Sequence, residues 1–337
     1  MGSLHCNSSW FSFPLNSLAL CACVLASLGV STAASIAADQ PFPSKPLRIV
    51  VTFPAGGSYD IVARLVAQRM QLGQNVIVEN RPGGGSVIGI EIVSRAPADG
   101  HTLLSISPTS GNLNNVHTKK LPFDFAKDFR AVGLAIEMAM VVAVNKSLPV
   151  TDMKQYLALA RARPGDISYG TAGPTGLHTL LGESLKLAAK VNITLVPFQG
   201  EGPAVIAATG GHVTGVLVNI VSTAPFIKAG KLRGLAVTSK TREDLLPDVP
   251  TAREAGTPEI EATNWNGYVV PALTPDIAIS RLNTELNKVL NIPEVRDNLR
   301  AQGMKVAPGS VEQFATLIRS ETERYDKVAK AANIKAD

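Results

Sequence analysis

No Asp, Glu, Lys or Arg occurs in residues 1–38, and all three cysteines, Cys6, Cys21 and Cys23, fall in that stretch. The chain beyond it has no cysteine, which excludes disulfides and thiolate-bound metals there. An exported chain can do without them when its core is large, and about 300 residues remain for one or two domains. No later segment is apolar over transmembrane length. Aromatics make up only 5% of the chain, and Lys and Arg form no basic run despite a net charge of +5. No nucleic-acid partner is expected, and the mild positive charge suits a small anion. His101, His117 and His212 are isolated, and no histidine pair has metal-ligand spacing, so no metal and no cofactor is expected.

Signatures of catalysis are also missing. A dinucleotide fingerprint starting at Gly83 would need Gly at the sixth position, where Ile88 stands, with Gly89 one place late. There is no Gly-x-Ser-x-Gly elbow. The glycine-rich loops hold only Asp60 and Glu201, which gives no carboxylate pair for acid–base work. The expectation is a protein that is not an enzyme.

The uncharged start has its own pattern. Leu18–Val30 is apolar but short for a bilayer span, and small residues follow, with Ser35-Ile36-Ala37 as a cleavage site. Residues 1–38 read as a secretory signal peptide, although the region before the apolar run carries only His5 where Lys or Arg is usual. A lipoprotein site in Leu20-Cys21-Ala22-Cys23 is disfavoured, because the apolar run continues past Cys23.

Beyond the leader, strand-like and helical segments alternate. Strands are expected at Leu47–Phe53, Asn75–Glu79, Thr102–Ile106, Ala131–Ile136 and Met140–Asn145. Further strands are expected at Ile167–Gly170, Ile193–Val196, Val213–Val218 and Leu232–Thr238. Helices are expected from Ile61, Val87, Asp152, Leu177 and Ala204, and after Pro271 from Asp276, Pro293 and Ser310. Such alternation predicts parallel sheets covered on both faces. Two similar blocks predict two α/β lobes. Residues 39–141 with 268–337 form the first and 142–267 the second, with crossings near Ala139–Asn145 and Trp265–Pro271.

The glycine-rich turns that join strands to helices carry the site. Phe53-Pro54-Ala55-Gly56-Gly57-Ser58-Tyr59-Asp60 follows a strand and opens a helix, which points free N–H groups and a positive helix end at one place. An anion such as a carboxylate fits there. Ser58 and Asp60 are also open to a plain capping reading, and Asp60 reads better as a strut than as an anion contact. Ser105, Ser107 and Thr109 sit just past a strand end, where ligands of open α/β sheets bind. Arg81 reads more readily as a surface residue than as a carboxylate clamp. Trp265 and Tyr268 read as hinge-strand core.

Quoted in order, Pro43-Ser44-Lys45-Pro46-Leu47-Arg48, the Phe53–Asp60 loop, Val78-Glu79-Asn80-Arg81-Pro82-Gly83 and Ala98-Asp99-Gly100-His101-Thr102 resemble one family. Tyr169-Gly170, Pro197–Ala204, Leu246-Pro247-Asp248-Val249-Pro250-Thr251 and Pro293-Glu294-Val295-Arg296 extend the resemblance over nearly all of the mature chain. The family is the tripartite tricarboxylate transporter substrate-binding proteins, or Bug family of extracytoplasmic solute receptors. The resemblance implies an α/β, two-lobe type II periplasmic-binding-protein (flytrap) fold, each lobe a mainly parallel sheet flanked by helices. It implies a monomeric periplasmic receptor that takes a small carboxylate to a permease of one large and one small membrane subunit.

The family's facing loops map onto Phe53, Pro54, Ala55, Gly56, Gly57, Ser58 and Asp60 and onto Gly170, Thr171, Ala172, Gly173, Thr175, Gly176 and His178. Phe198, Gln199, Gly200, Pro203 and Ala204 close the far side, with Ser107, Thr109 and Asn219 as further lining candidates. Two departures stand out. His178 lies one place early, with Thr179 in the usual His position, so donation to a ligand carboxylate and a backbone-satisfied helix start remain equally open readings. Thr214 replaces the usual acid after Gly211-His212-Val213, and Val216-Leu217-Val218-Asn219 lacks a second one. Loss of these acids favours a plain mono- or dicarboxylate over an amino acid. A sensor that reports the same ligand to a membrane signalling protein is the second reading, and an exported carboxylate-processing enzyme the third.

Overall fold

In the computed structural model, the described residues are 42–110, 121–174 and 176–334. The proposed leader, 1–38, and Thr175 lie outside them.

Two sheets organise the chain, both within the compact unit that begins at Phe42. The first has the order β11-β4-β10-β3-β1-β2. Its strands are β1 (Leu47–Val51), β2 (Val76–Asn80), β3 (Thr102–Ile106), β4 (Phe129–Met138), β10 (Asn264–Pro271) and β11 (Lys305–Val306). The pairings make β1, β2, β3 and β4 point one way, with β10 and β11 reversed. The second sheet has the order β7-β6-β8-β5-β9. It contains β5 (Met140–Asn145), β6 (Ser168–Thr171), β7 (Thr194–Pro197), β8 (Gly215–Asn219) and β9 (Leu232–Val237), with only β5 reversed. Four of the six strands in the first sheet and four of the five in the second therefore share one direction, and the reversed β10 and β5, which pair antiparallel with both neighbours, are strands where the chain changes lobe.

Helices cover both faces of each sheet, which is why the strands are apolar on both sides. On the first sheet, α1 (Ser58–Arg69), α8 (Asp276–Leu290) and α9 (Pro293–Ala301) bury Leu47, Ile49, Val51 and Tyr268. On its other face, α2 (Val87–Ser94), the one-turn α3 (Phe125–Asp128) and α10 (Val311–Ala331) bury Val50, Leu104, Val269 and Trp265. On the second sheet, α4 (Met153–Ala162) and α5 (Leu177–Ala189) pack on Val142, Val144 and Tyr169. On its opposite face, α6 (Glu201–Thr209) and α7 (Ile220–Lys228) pack on Val141, Val216 and Val218. Two outer helices start where side chains cap them. Asp152 accepts from Gln155 N at 2.8 Å, and Ser310 closes a capping box with Gln313.

The boundaries between lobes differ from the sequence expectation in three places. The first crossing is the single residue Ala139, so Met140 and Val141 already pair with Asn219 and Val218 of the second sheet. Asn264 to Gly267, expected in the second lobe, pair with Met138 to Leu134 in the first sheet. The run Phe129–Asn145 contains no proline and, apart from Arg130, Glu137 and the final Asn145, is apolar, so no turn signal in it marks the change of sheet. The end of α10 is the third difference. Phe314 belongs to the core of the first lobe, but Tyr325 and Ala329 are buried in the core of the second. A helix of 21 residues is about 30 Å long, enough to lie across both lobes.

Candidate functional site

Three glycine-rich loops meet between the lobes. The first leaves β1 at Thr52 and enters α1 through Gly57, an N-cap with no side-chain cap. Gly56 has φ +83°, a left-handed conformation that costs a residue without Cβ nothing. Pro54–Gly57 are exposed. Asp60, buried beneath the loop, holds it in place. Its Oδ2 accepts from Gly56 N at 2.8 Å and Arg64 Nε at 3.0 Å, and its Oδ1 accepts from Asn80 Nδ2 at 2.9 Å. The Asn80 amide also donates to Phe53 O at 3.1 Å. Burial by itself would raise the Asp60 pKa. The bonds from Arg64, Gly56 and Asn80 outweigh it and hold the carboxyl below its ordinary value. Asp60 is thus a strut of the loop and not an anion contact.

The second loop runs from β6 to α5. Thr171 Oγ1 and Thr179 Oγ1 both donate to Gly173 O, at 2.7 and 3.0 Å, which pins that carbonyl to the loop's own side chains. Thr179, in the place where His is usual, is therefore a structural clamp. Gly176 caps α5 without a side-chain bond. A Cβ added there would lie 3.8 Å from Thr109 Oγ1, so Thr109 of the first lobe faces this loop across the gap.

In the third loop, Gly200 takes φ +118° and α6 begins at Glu201, again without a side-chain cap. Gly170 and Ala204, expected against the ligand, are buried below this loop. A Cβ on Gly170 would meet the Phe198 ring at 3.0 Å and Ala204 Cβ at 3.3 Å, so the two small residues let Phe198 and α6 seat on β6. Asn219, the N-cap of α7, is also engaged elsewhere. Its Oδ1 accepts from Asn264 Nδ2 at 2.9 Å, and Asn264 Oδ1 accepts from Tyr59 Oη at 3.0 Å. Tyr59, Asn264 and Asn219 form a buried strap from α1, past the start of β10, to α7. Asn264→Ala is expected to cost about 1–3 kcal/mol in urea unfolding, since Tyr59 and Asn219 both lose a buried partner. An unchanged midpoint would show that the strap carries no weight.

The hydroxyls past β3 divide. Ser105 Oγ is fully buried and accepts from Asn266 Nδ2 at 2.9 Å, so it braces β3 against β10. Ser107 is buried beside the Tyr59 hydroxyl. Arg81 Nε donates to Glu79 at 2.7 Å on the surface. Trp265 and Tyr268 are hinge-strand core, with Trp265 Nε1 donating to Glu321 at 2.7 Å.

His178 is not the backbone-satisfied helix start that the sequence left open. Its Nε2 lies 3.2 Å from Glu201 Oε1, and its Nδ1 is buried with no partner. Ser222 Oγ donates to the other Glu201 oxygen. The carboxylate stands between hydroxyl and imidazole, so His178 is not placed to take a proton from Ser222 as a triad base would. The Tyr59 hydroxyl is pushed well up, first by burial and next by the negative charge of Glu201, against its hydrogen bonding with Asn264 and Ser107. Glu201, on the second lobe, therefore faces Tyr59 on the first.

Glu201 also corrects the argument from missing acids. Thr214 sits before β8, at the end of the sheet away from the loops, where its Oγ1 bonds Ser168. Val216 and Val218 are core. An acid at Thr214 would not reach the loops, and of Val216-Leu217-Val218-Asn219 only Asn219, the N-cap of α7, stands at their end of the sheet. The acid that does reach them was visible in the sequence only as a helix-start glutamate.

The first turns of α1, α5, α6 and α7 thus gather around one space, and none is closed by a side-chain cap. Each leaves N–H groups without intrahelical acceptors at a positive helix end, which suits a small anion.

Residues 62–334 match the profile of the tripartite tricarboxylate transporter family receptor, TctC. A UPF0065 protein from the tcbD-tcbE intergenic region of Pseudomonas sp. strain P51 is 39% identical over 293 residues, 85% of this chain and 86% of that one. The protein BugT of Bordetella pertussis is 32% identical over 323 residues, 94% and 98% of the two chains. Among solved structures, Rpa4515 of R. palustris with adipate has a TM-score of 0.79 at 32% identity, covering 87% of this chain and 99% of that one. MatC of Rhodopseudomonas palustris with bound malate has a TM-score of 0.75 at 31% identity, covering 85% and 99%. With this fold and this match along most of its length, the chain belongs to the tripartite tricarboxylate transporter receptor family, among relatives that include the Bug proteins.

Proposed function

We propose that this chain is a periplasmic solute receptor. It captures a small mono- or dicarboxylate between its lobes and delivers it to a permease of one large and one small membrane subunit. The observation that carries this is the set of uncapped helix N-termini converging on one interlobe space, with the exposed Pro54–Gly57 on one side and Gly173 and Gly176 on the other. Backbone donors neutralise the carboxylate, and closure about Ala139 and the start of β10 shuts out water. The neighbours solved with adipate and malate hold ligands of this class. No step of bond making is needed, and the receptor is not an enzyme on this reading.

Native mass spectrometry of the gently purified mature chain, followed by denaturation and identification of what is released, tests this. One intact carboxylic acid per chain is the expected result. A released mixture of an acid and its altered product would overturn the reading in favour of catalysis.

A further inference from the structure

We infer that Glu201 sets the polarity of the ligand: a single carboxylate binds at the Phe53–Ser58 loop, and the end turned to the second lobe is a hydrogen-bond donor, not a second carboxylate. This rests on the carboxylate reading above and goes beyond it by naming the ligand's other end.

The two sides of the space differ in charge. On the first lobe the loop offers backbone N–H groups. Its one acid, Asp60, is folded beneath it and paired with Arg64, so it presents no charge to the gap. On the second lobe the N-termini of α5, α6 and α7 would suit another anion, but the chain's own carboxylate is already there. Glu201 is held by His178 of α5 and Ser222 of α7, and it starts α6 itself. Its side chain keeps 19% exposure. Two of a carboxylate's roughly four acceptor sites are taken by these partners, which leaves acceptor capacity free. Its charge reaches the Tyr59 hydroxyl of the facing lobe. Among the described residues no Lys or Arg forms an ion pair with it, and His178 is its one basic partner. A ligand carboxylate on this side would meet a like charge in a partly desolvated place, whereas a hydroxyl or ammonium would find an acceptor. A small helix-start residue would have left this position to the ligand, and Glu201 occupies it.

The test is calorimetric titration of the ligand-stripped chain with straight-chain probes of three to six carbons in three matched sets. The sets are ω-hydroxy acids, ω-amino acids and α,ω-dicarboxylates, with adipate and malate included. The best hydroxy or amino acid is expected to bind at least tenfold more tightly than the dicarboxylate of equal length. Glu201→Gln is expected to shrink or reverse that ratio, while Ser222→Ala, which keeps the charge, preserves it. A dicarboxylate that binds wild type as tightly as its matched partner, or a ratio untouched by Glu201→Gln, would overturn the inference and leave the receptor reading standing. Failure of all three sets to bind would overturn both. Should Glu201→Gln not fold, the wild-type ratio decides alone.

Discussion

Asp60→Ala is expected to weaken ligand binding about a hundredfold while the lobes still fold. The carboxylate ties Gly56 N, Arg64 and Asn80 together under the loop, so without it Phe53–Gly57 must be ordered anew at each binding event. Ordering two or three residues costs about 1 kcal/mol or more each, and about 2.7 kcal/mol corresponds to a hundredfold in affinity. Stability should fall by about 2 kcal/mol. Arg64 is 47% exposed, so its share is discounted for screening and most of the loss comes from the Gly56 and Asn80 amides. The pH dependence separates this account from a packing defect. The folded pKa of Asp60 lies below the ordinary 3.8, so its contribution is complete above that value and fades as pH falls through the lower folded value. The stability gap between wild type and Asp60→Asn should therefore be flat near neutrality and narrow in strong acid. Urea unfolding across a pH series reads it directly. A gap that stays constant down to the most acidic point would mean that the charge is not what holds the loop.

Much of this frame was legible in the sequence because it rests on local patterns. Apolar runs bounded by Gly and Pro mark β1 and β3, glycine-rich turns mark the loops after β1 and β6, and Asp152 and Ser310 start helices as capping chemistry predicts. What was not legible depends on distance along the chain. Tyr59 and Asn264 are 205 positions apart, and no short motif joins them. Glu201 looks like any acid in the first turn of a helix until His178 and Ser222 are folded against it. Helix α7 is absent from the expected helices, and Pro225 inside it does not stop it before Lys228. Gly170 and Ala204 show the opposite error. Their family motif points to the ligand, whereas their small size serves the packing of Phe198 and α6.

Gly267→Ala is expected to cost about 3 kcal/mol of stability, a large loss for one added methyl. A Cβ at this position would press on the face of Phe314, meeting Cζ most closely, with Cε1 at 2.7 Å and Cε2 at 2.8 Å. The ring has little room to retreat, since Phe314 is 1% exposed and stands edge-on to Trp265 at 5.4 Å. The backbone is fixed as well, because β10 pairs with β3 on one side and β4 on the other. For a chain of this size, about 3 kcal/mol lowers the melting temperature by roughly 5 °C. Phe314→Ala alone should cost about 3–5 kcal/mol through the cavity it leaves. The double variant should then lose well under the sum, because the added methyl enters that cavity, with a coupling of about 1 kcal/mol or more. Additive losses would show that the clash is relieved elsewhere. Ligand affinity of the folded fraction should change little, since the clash lies on the α10 face of β10 while Asn264, on the same strand, reaches Tyr59 of α1 from the other. A large loss of affinity would instead couple the α10 face of the hinge strand to closure.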